Sequence, residues 1–402
     1  MMDAYIFDAI RSPRGNGKAN KSSLHQIKPI ELLSQLYTAF EQRTPIDHRD
    51  IESVILGCVG QIGDQGANIA KISTLYHGWG PHLEGITLNT FCTSALSAIG
   101  LAKAKINSGM NDLVIAGGIE MLSNVPMFAD QGAWFADKEV ARKSHFTHMG
   151  VAADLIATLE GFNEAELDAY VVQSHQRAAA ATQKGYFSKS IIPIVNEHGE
   201  RVLSVDENIR PNCTVEALQR FEALFAKFIT PNIEEQIKIR YPQIRQLKHL
   251  HHVGNSPTMA DGASLLLIGN LEKGKALGLE AKAKICAFDS TSCEPIIMLL
   301  GGQYSVQNAV KKAGLKLSDI DLHNFGEAFS ATCLKYQSDL NVADNKFNVN
   351  GGTMTMGHAQ GASGAMITTT LLEEMERRGV ELGVAGISGG AGLGAGLVIE
   401  RV

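Results

Sequence analysis

Two residues in this 402-residue chain have the types and settings that thiol chemistry needs. Cys92 lies in NTFCTSALSAI, between a strand-like segment and a predicted helix. A helix N-terminus carries unpaired N–H groups and partial positive charge, which stabilise a thiolate and lower the pKa of a thiol. His358 lies in NVNGGTMTMGHAQGASGAM, again between a strand-like segment and a helix. An imidazole there can accept a proton near neutral pH, and the surrounding glycines leave the backbone free to approach a ligand closely.

Each residue also has an ordinary explanation. A lone cysteine is most often buried and inert, and His358 is one of 13 histidines. The pair is more informative, because the two residues occupy matching places in the two ends of the chain. We therefore predict a Cys–His couple that faces one cleft.

The segments around the couple follow one repeated order. Near the N-terminus, apolar runs predict strands at 4–10, 53–59, 86–91 and 113–116, with helices at 29–43 and 94–108 and a glycine turn at 117–118. Near the C-terminus, a strand at 347–350, a helix within 361–378, a strand at 382–387 and a glycine turn at 389–390 repeat that order. The alternation predicts an internal duplication with parallel sheets in layers, and 119–250 reads as an inserted α-rich region.

Composition narrows the class of protein. The chain is 45% hydrophobic with a net charge of −6, so its surface offers no general attraction to nucleic acid or to anionic membranes. No run reaches transmembrane length, and the start lacks the apolar core of a signal peptide. The six cysteines form no metal-binding pattern. We expect a cytoplasmic protein with reduced thiols and no metal site.

Two further strings could bind phosphate. The glycine-rich GISGGAGLGAG (386–396) ends the chain instead of opening a βαβ unit, which argues against a dinucleotide site. The basic, histidine-rich run 238–252 could hold a phosphate, but we interpret it as a solvated helix face.

The motifs together resemble the thiolase family from about residue 7 to residue 400. The matching strings are DAIRSPRGNGK, NTFCTSALSAI, GGIEMLSNVP, HMGVAAD, QSHQRAAAATQKGYF, GNSPTMADGASLLL and, most specifically, NVNGGTMTMGHAQGASG.

The resemblance implies a five-layered α/β/α/β/α fold that duplicates two βαβαβ-type halves. The N-terminal half would span 1–272 and contain the inserted loop domain, 119–250, which grips coenzyme A; the C-terminal half would span 273–402. The family's enzymes are usually dimers or tetramers and need no metal or redox cofactor.

The implied chemistry assigns roles to the matching residues. Cys92 would carry the acyl group, with His358 as its base and N–H groups near Cys92 and Gly390 stabilising the oxyanion. His148, Met149 and Ser256 would lie along the pantetheine or adenine part of coenzyme A. We expect the cations for its phosphates within 200–250.

The sequence departs from the family pattern at four positions. Ser388 stands where a second cysteine is expected, and a serine hydroxyl is a far weaker acid than a thiol. Gly326 replaces the residue that usually holds a catalytic water, Ala359 follows His358 in place of proline, and Pro257 replaces a serine that often contacts pantetheine. These changes leave the two residues needed for acylation intact, but they weaken the argument that the protein makes or breaks carbon–carbon bonds.

The leading hypothesis is an active thiolase that cleaves 3-ketoacyl-CoA with CoA or forms acetoacetyl-CoA from acetyl-CoA. Its substrates would be acyl-CoA and CoA, and it would assemble as a homodimer or homotetramer. A partner subunit from fatty acid beta-oxidation is a further option, although no motif in the sequence supports it. One alternative is a degenerate thiolase that binds acyl-CoA without making or breaking carbon–carbon bonds. Another is an acyltransferase or thioesterase that delivers the acyl group elsewhere.

Overall fold

A computed structural model describes residues 2–402 of the chain. Its strands are β1 (Tyr5–Arg11), β2 (Gly15–Asn16), β3 (Ser53–Gly57), β4 (Glu84–Leu88), β5 (Leu113–Met121), β6 (Ile194–Val195), β7 (Arg201–Leu203), β8 (Ala260–Gly269), β9 (Ala283–Ser292), β10 (Leu322–Phe325), β11 (Leu382–Ser388) and β12 (Leu393–Arg401). Its helices are α1 (Pro29–Arg43), α2 (Ile69–His77), α3 (Ser94–Asn107), α4 (Ala133–Ala136), α5 (Lys138–Lys143), α6 (Met149–Glu160), α7 (Glu164–Gln183), α8 (Val215–Leu218), α9 (Pro231–Arg240), α10 (Leu271–Ala276), α11 (Gly301–Lys312), α12 (Ser330–Leu340), α13 (Thr353–Met356) and α14 (Gln360–Arg378).

The long helices begin and end at local signals in the sequence. Pro29 opens α1, where its missing N–H costs no hydrogen bond. Asn163 caps α7 in a capping box with Glu166, and Gly379 ends α14 with a φ of 67°. The predicted bounds of α1 and α3, 29–43 and 94–108, agree with the structure to within one residue.

The sheet shows the duplication directly. Its order is β10-β11-β12-β9-β1-β8-β5-β3-β4, with β2 beside β8. Four strands of each half lie in the same spatial order. In the first half they are β3, β5, β8 and β1, and in the second half β10, β11, β12 and β9. The two copies meet where β1 pairs with β9. The predicted duplication is therefore confirmed.

The expectation of parallel sheets is only partly right. The pairs β3–β4, β3–β5 and β10–β11 are parallel, whereas β5–β8, β1–β8, β11–β12 and β9–β12 are antiparallel. A parallel neighbour needs a long crossover, and only four residues join β11 to β12, so that pair must run antiparallel.

Three apolar clusters separate five layers. Side chains from α1 pack on one face of the first-half strands, in a cluster that includes Leu32, Leu36, Val54, Ile115 and Leu265. The opposite face packs on α3 and α14, which in turn cover the second-half strands, in a cluster that includes Leu96, Ile99, Val114, Leu371 and Leu397. The far face of the second half packs on α11 and α12, through Val306, Val310, Tyr336, Val384 and Val398. The five-layered α/β/α/β/α prediction is confirmed.

Two short predictions were wrong. Gly117 and Gly118 lie inside the buried strand β5 and form no turn. A Cβ at Gly117 would collide with the backbone of Ser264 on β8, and one at Gly118 with the backbone of Gly361, so glycine serves close packing there. Residues 347–350 make isolated bridges and no strand.

We propose that the two halves divide at about 272–273, in the α10 connection between β8 and β9. We also propose that 119–250 is the inserted domain, although β5 continues to Met121. The region contains α4 to α9 and the small β6–β7 hairpin. No helix within 2–402 combines the length and the apolar character that crossing a membrane requires.

Candidate active site

Cys92 and His358 lie side by side although 266 residues separate them in the chain. The Nε2 atom of His358 is 3.2 Å from the sulfur of Cys92. Each residue immediately precedes a central helix, Cys92 before α3 and His358 before α14, and these two helices pack together in the middle layer. The duplication therefore brings the two reactive side chains to one point.

The loop that carries Cys92 has a strained backbone held in place by polar side chains. Phe91 has a φ of 53°, in the left-handed region that is costly for a residue with a Cβ. The side chain of Asn89 accepts a hydrogen bond from the Phe91 N–H at 2.8 Å, and Ser94 donates to the Phe91 carbonyl at 2.5 Å. These bonds fix the direction in which the next side chain, Cys92, projects.

His358 is held from both its backbone and its ring. Its N–H donates to the carbonyl of Thr258 at 2.7 Å, and its carbonyl accepts from the N–H of Ala260 at 3.2 Å. Its Nδ1 atom lies 2.8 Å from the hydroxyl oxygen of Ser363. For Nε2 to accept the thiol proton, Nδ1 must carry the ring hydrogen and donate it to Ser363. Ser363 lies within the string NVNGGTMTMGHAQGASG but was not predicted to act there. Its signal is the five-residue spacing from His358, which places it on the first turn of α14.

Burial sets the charge state of the couple. It lowers the pKa of His358 to about 4, with the positive charge of Arg14 adding to the effect. It also raises the pKa of Cys92 to about 12, and the carboxylate of Glu120 contributes in the same direction. The predicted lowering of the thiol pKa was therefore wrong, because removal from water outweighs the helix N-terminus. The resting pair is a neutral thiol and a neutral imidazole.

Glu120 ties together the loops around the couple. Its buried carboxylate accepts hydrogen bonds from the N–H groups of Val59, Gly60 and Gly361 and from the amide of Gln65, at 2.8–3.0 Å. Gly361 lies three residues after His358, so this carboxylate links the start of α14 to the loop that follows β3. Glu120 lies within the string GGIEMLSNVP, and its role was not predicted from the sequence.

The glycines near His358 allow neighbouring segments of the protein to pack closely, and this is more evident than any role in admitting a ligand. A Cβ at Gly364 would press against the backbone of Leu96 on α3, and one at Gly361 against the Cα of Cys58. Gly357 has a φ of 126°, which a residue with a side chain rarely adopts. Our expectation that these glycines free the backbone for a ligand is corrected accordingly.

A single cavity of about 570 Å³ contains every residue that the sequence analysis proposed for the site. Its lining includes Cys92, His148, Met149, Ser256, Gly326, His358, Ser388 and Gly390. Much of the remaining lining is apolar, including Met127, Leu224, Phe225, Phe228 and Phe329. The volume lies within the range of small-molecule and cofactor sites.

Ser388 lies at the cavity wall with its hydroxyl already engaged. The hydroxyl donates to the carbonyl of Leu299 at 2.6 Å and accepts from the N–H of Gly302 at 3.0 Å. It thereby connects the end of β11 to the start of α11. The next residues, Gly389 and Gly390, pack against the backbone and ring of the Cys92 loop, and a Cβ at Gly390 would contact Phe91 and Trp134.

Gly326 leaves no side chain at its position, and Ile387 fills the adjacent space. A Cβ at Gly326 would lie 2.6 Å from the Ile387 side chain. The neighbouring Glu327 is fully buried and accepts from Tyr170 at 2.8 Å and Ser174 at 2.9 Å. Glu327 therefore supports the fold beneath the cavity and does not line it.

The three residues predicted for the coenzyme side come from two elements of the insertion and its return. His148 caps α6 by accepting the N–H of Gly150 at 3.1 Å, and its ring stacks on Phe228 at 4.2 Å between centroids. Burial lowers the pKa of His148 to about 4. Met149 follows it, and Ser256 donates its hydroxyl to the His252 carbonyl at 2.7 Å.

Three exposed cations line the same cavity: Lys18, Lys21 and Arg210. Arg210 lies in the predicted range of 200–250, whereas the two lysines come from the loop between β2 and α1, which that prediction missed. Their signal was the basic string GNGKANK. None of the three makes an ion pair within residues 2–402.

The histidine-rich run does not form a solvated helix face. His251 and His252 are buried, and their ring nitrogens lie 2.8 Å from Asp154 and 3.1 Å from Asp168. Because both rings are paired with buried carboxylates, these two histidines are not free to hold a phosphate.

Comparison with known proteins agrees with this geometry. Residues 4–230 match the sequence model of the thiolase N-terminal domain, and residues 279–401 match that of the thiolase C-terminal domain. The chain is 35% identical over 412 residues to a 3-ketoacyl-CoA thiolase of Aeromonas hydrophila subsp. hydrophila, and 35% identical over 411 residues to one of Aliivibrio fischeri, with 100% of each chain covered. The crystal structure of the Bacillus anthracis acetyl-CoA acetyltransferase superposes with a TM-score of 0.87 at 29% identity, covering 100% of this chain and 99% of the other.

Proposed function

The chain belongs to the thiolase family, and from that premise we propose that it transfers acyl groups between Cys92 and coenzyme A. In the degradative direction it cleaves a 3-ketoacyl-CoA with free CoA; in the reverse direction it forms acetoacetyl-CoA from two acetyl-CoA. The observation that carries the proposal is the 3.2 Å contact between His358 Nε2 and the Cys92 sulfur inside the cavity.

The acylation step follows from the charge states. The imidazole of His358 takes the thiol proton as the sulfur attacks the substrate carbonyl, so that a free thiolate never has to persist in the buried site. The backbone N–H groups of Cys92 and Gly390 would stabilise the oxyanion, whereas the N–H of Gly389 already donates to the Leu393 carbonyl at 2.7 Å.

The shape and charge of the cavity suit an acyl-CoA. Its apolar walls would hold the acyl chain and pantetheine beside His148, Met149 and Ser256. Lys18, Lys21 and Arg210 would hold the phosphates, since charge-assisted hydrogen bonds from these side chains are the usual means of binding them. Coenzyme A is thus proposed as substrate, and the residues call for no resident cofactor.

The degenerate alternative rested on Ser388 and Gly326, and the intact Cys92–His358 couple favours the enzyme. We further propose a homodimer or homotetramer. The strand β4 lies at one edge of the sheet, and α2, which packs against β4, leaves Ile72, Leu75 and Tyr76 exposed. An apolar patch beside an open strand edge suits a second copy of the chain. A cytoplasmic location is proposed because all six cysteines are free thiols. A role in fatty acid beta-oxidation is proposed from the name 3-ketoacyl-CoA thiolase that the relatives carry.

The test is thiolysis of acetoacetyl-CoA and of a longer 3-ketoacyl-CoA with CoA, run beside intact-mass spectrometry after exposure to acetyl-CoA. We expect both cleavage and an acetyl adduct that Cys92→Ala abolishes. An acetyl adduct without cleavage of either substrate would favour the alternative, a degenerate thiolase that binds acyl-CoA without breaking carbon–carbon bonds.

A further inference from the structure

The carbon–carbon step needs a second proton transfer, at the carbon next to the attacked carbonyl, and the structure restricts which group can perform it. Resting on the proposed function, we propose that His358 alone carries the protons of both half-reactions. Ser388 is then a structural residue and takes no part in proton transfer.

The cavity contains few groups that titrate. Among the described residues that line it, they are Lys18, Lys21, Cys92, His148, Arg210 and His358. No aspartate, glutamate or tyrosine belongs to this lining.

Ser388 is excluded by its hydrogen bonds. Its proton points to the Leu299 carbonyl at 2.6 Å, and a lone pair accepts the Gly302 N–H at 3.0 Å. A hydroxyl whose proton is donated to a carbonyl cannot act as a base without first breaking that bond, and its own acidity is far below that of a thiol.

His148 is excluded by its tautomer. The N–H of Gly150 donates to Nδ1 of His148 at 3.1 Å, so that atom holds a lone pair and the ring hydrogen must reside on Nε2. The remaining nitrogen is therefore a donor and has no lone pair for a carbon-bound proton. Lys18, Lys21 and Arg210 are exposed cations, and Cys92 carries the acyl group.

His358 meets both requirements. Its Nε2 is directed at the Cys92 sulfur, so it also lies within reach of the carbon two bonds away from that sulfur once the adduct has formed. No other nitrogen in the cavity combines a free lone pair with that position.

The protons and electron pairs balance through one imidazole. His358 takes the Cys92 proton, and the sulfur attacks the 3-keto carbon. The bond between C2 and C3 then breaks, its electron pair passes to C2, and the imidazolium returns the proton to C2, which releases acetyl-CoA. In the second half-reaction His358 takes the thiol proton of CoA, the CoA sulfur attacks the thioester, and the departing Cys92 sulfur recovers the proton.

Proton exchange at C2 tests this without requiring turnover. Acetyl-CoA is incubated in D₂O with Cys92→Ala, Cys92→Ala/Ser388→Ala and Cys92→Ala/His358→Asn, and deuterium in the acetyl methyl group is measured by mass spectrometry. Calorimetric titration of each variant with CoA checks that the cavity is intact. We expect the first two proteins to exchange at rates within about threefold of each other and the third to be at least about a hundredfold slower, the low end for loss of a general base.

Three results would overturn the proposal: no enzyme-dependent exchange in Cys92→Ala, a tenfold loss with Ser388→Ala, or full exchange with His358→Asn. Should Ser388→Ala fail to fold, the pH dependence of exchange in Cys92→Ala decides. A flat rate that falls only in acid supports the imidazole, and a rate that climbs tenfold per pH unit contradicts it. Thiolysis by the wild-type protein is measured separately, so failure of the proposed function is distinguishable from failure of the single-base step.

Discussion

The Nδ1 atom of His358 lies 2.8 Å from the hydroxyl oxygen of Ser363 on the first turn of α14. When Nδ1 donates its hydrogen to this hydroxyl, as the proposed base role requires, the lone pair of Nε2 is directed at Cys92, 3.2 Å away. The reactivity of Cys92, the proposed nucleophile, therefore depends on Ser363, which acts on it only through His358.

Replacing Ser363 with alanine should therefore slow acetylation of Cys92. Without the acceptor the ring loses its preferred tautomer and orientation, and we expect a loss of about tenfold to a hundredfold in the acetylation rate, as for comparable supporting residues. Stopped-flow release of CoA from acetyl-CoA measures it. Thr368→Val is the matched control, because that hydroxyl on the same helix bonds only the Gly364 carbonyl. An equal loss in both variants would show a general effect on α14.

Cys92 should be the thiol that iodoacetamide labels first, and its labelling should depend on His358. The pKa of Cys92 is raised to about 12, so its reactivity must come from the adjacent base and not from a standing thiolate. We expect His358→Asn to slow labelling of Cys92 at least about tenfold. Cys286, which is also half-buried, is the internal control in peptide mapping. Unchanged labelling of Cys92 in the variant would remove His358 as its base.

The pH profile of acetylation should be broad. The neutral imidazole is the active form, and with a pKa of about 4 for His358 it is lost only as the pH falls through that value. Ionisation of Cys92 adds nothing below about pH 12. We expect a rate that is constant within about threefold between roughly pH 5.5 and pH 9, measured as the burst of CoA release. An acid limb centred near the ordinary histidine value of about 6.5 would contradict the buried, neutral state.

The three cations should contribute to coenzyme affinity and little to chemistry. Lys18→Ala, Lys21→Ala and Arg210→Ala should each raise the KM for CoA about threefold to tenfold, corresponding to the modest energy of exposed charge pairs. The effects should shrink at high salt. Lys275→Ala, an exposed lysine outside the cavity, is the control. A fall in kcat with unchanged KM would place these residues in a different role.

Glu120 should matter for stability. Removing its carboxylate in Glu120→Ala leaves the N–H groups of Val59, Gly60 and Gly361 without a partner, whereas Gln65 keeps its bond to the Gly60 carbonyl. Unsatisfied buried groups cost about 1–3 kcal/mol each before relaxation or entry of water. We expect urea unfolding to show a loss of at least about 3 kcal/mol. Glu235→Ala, at an exposed carboxylate on α9, should change stability by less than about 0.5 kcal/mol. A comparable loss of unfolding free energy in both variants would show that the hydrogen bonds of Glu120 make no particular contribution to stability.

The sequence by itself predicted most of the elements and pointed to the pair of side chains on which the proposed function depends. The helical pattern of α1 and the repeated order of strands, helices and glycines around Cys92 and His358 are local features, and local rules read them correctly. The same rules misread Gly117 and Gly118 as a turn, because only a packed neighbour shows that a strand needs glycine for close approach.

Tertiary structure decided the charge states and the partners. Burial raised the pKa of Cys92 against the expectation from its helix position, and the hydrogen bonds of Ser388 run to Leu299 and Gly302, far away in sequence. Lys18 and Lys21 line the same cavity as Arg210, although they lie far from it in the sequence. Solvation and hydrogen-bond partners depend on which distant segments meet, and a one-dimensional pattern does not encode those distances.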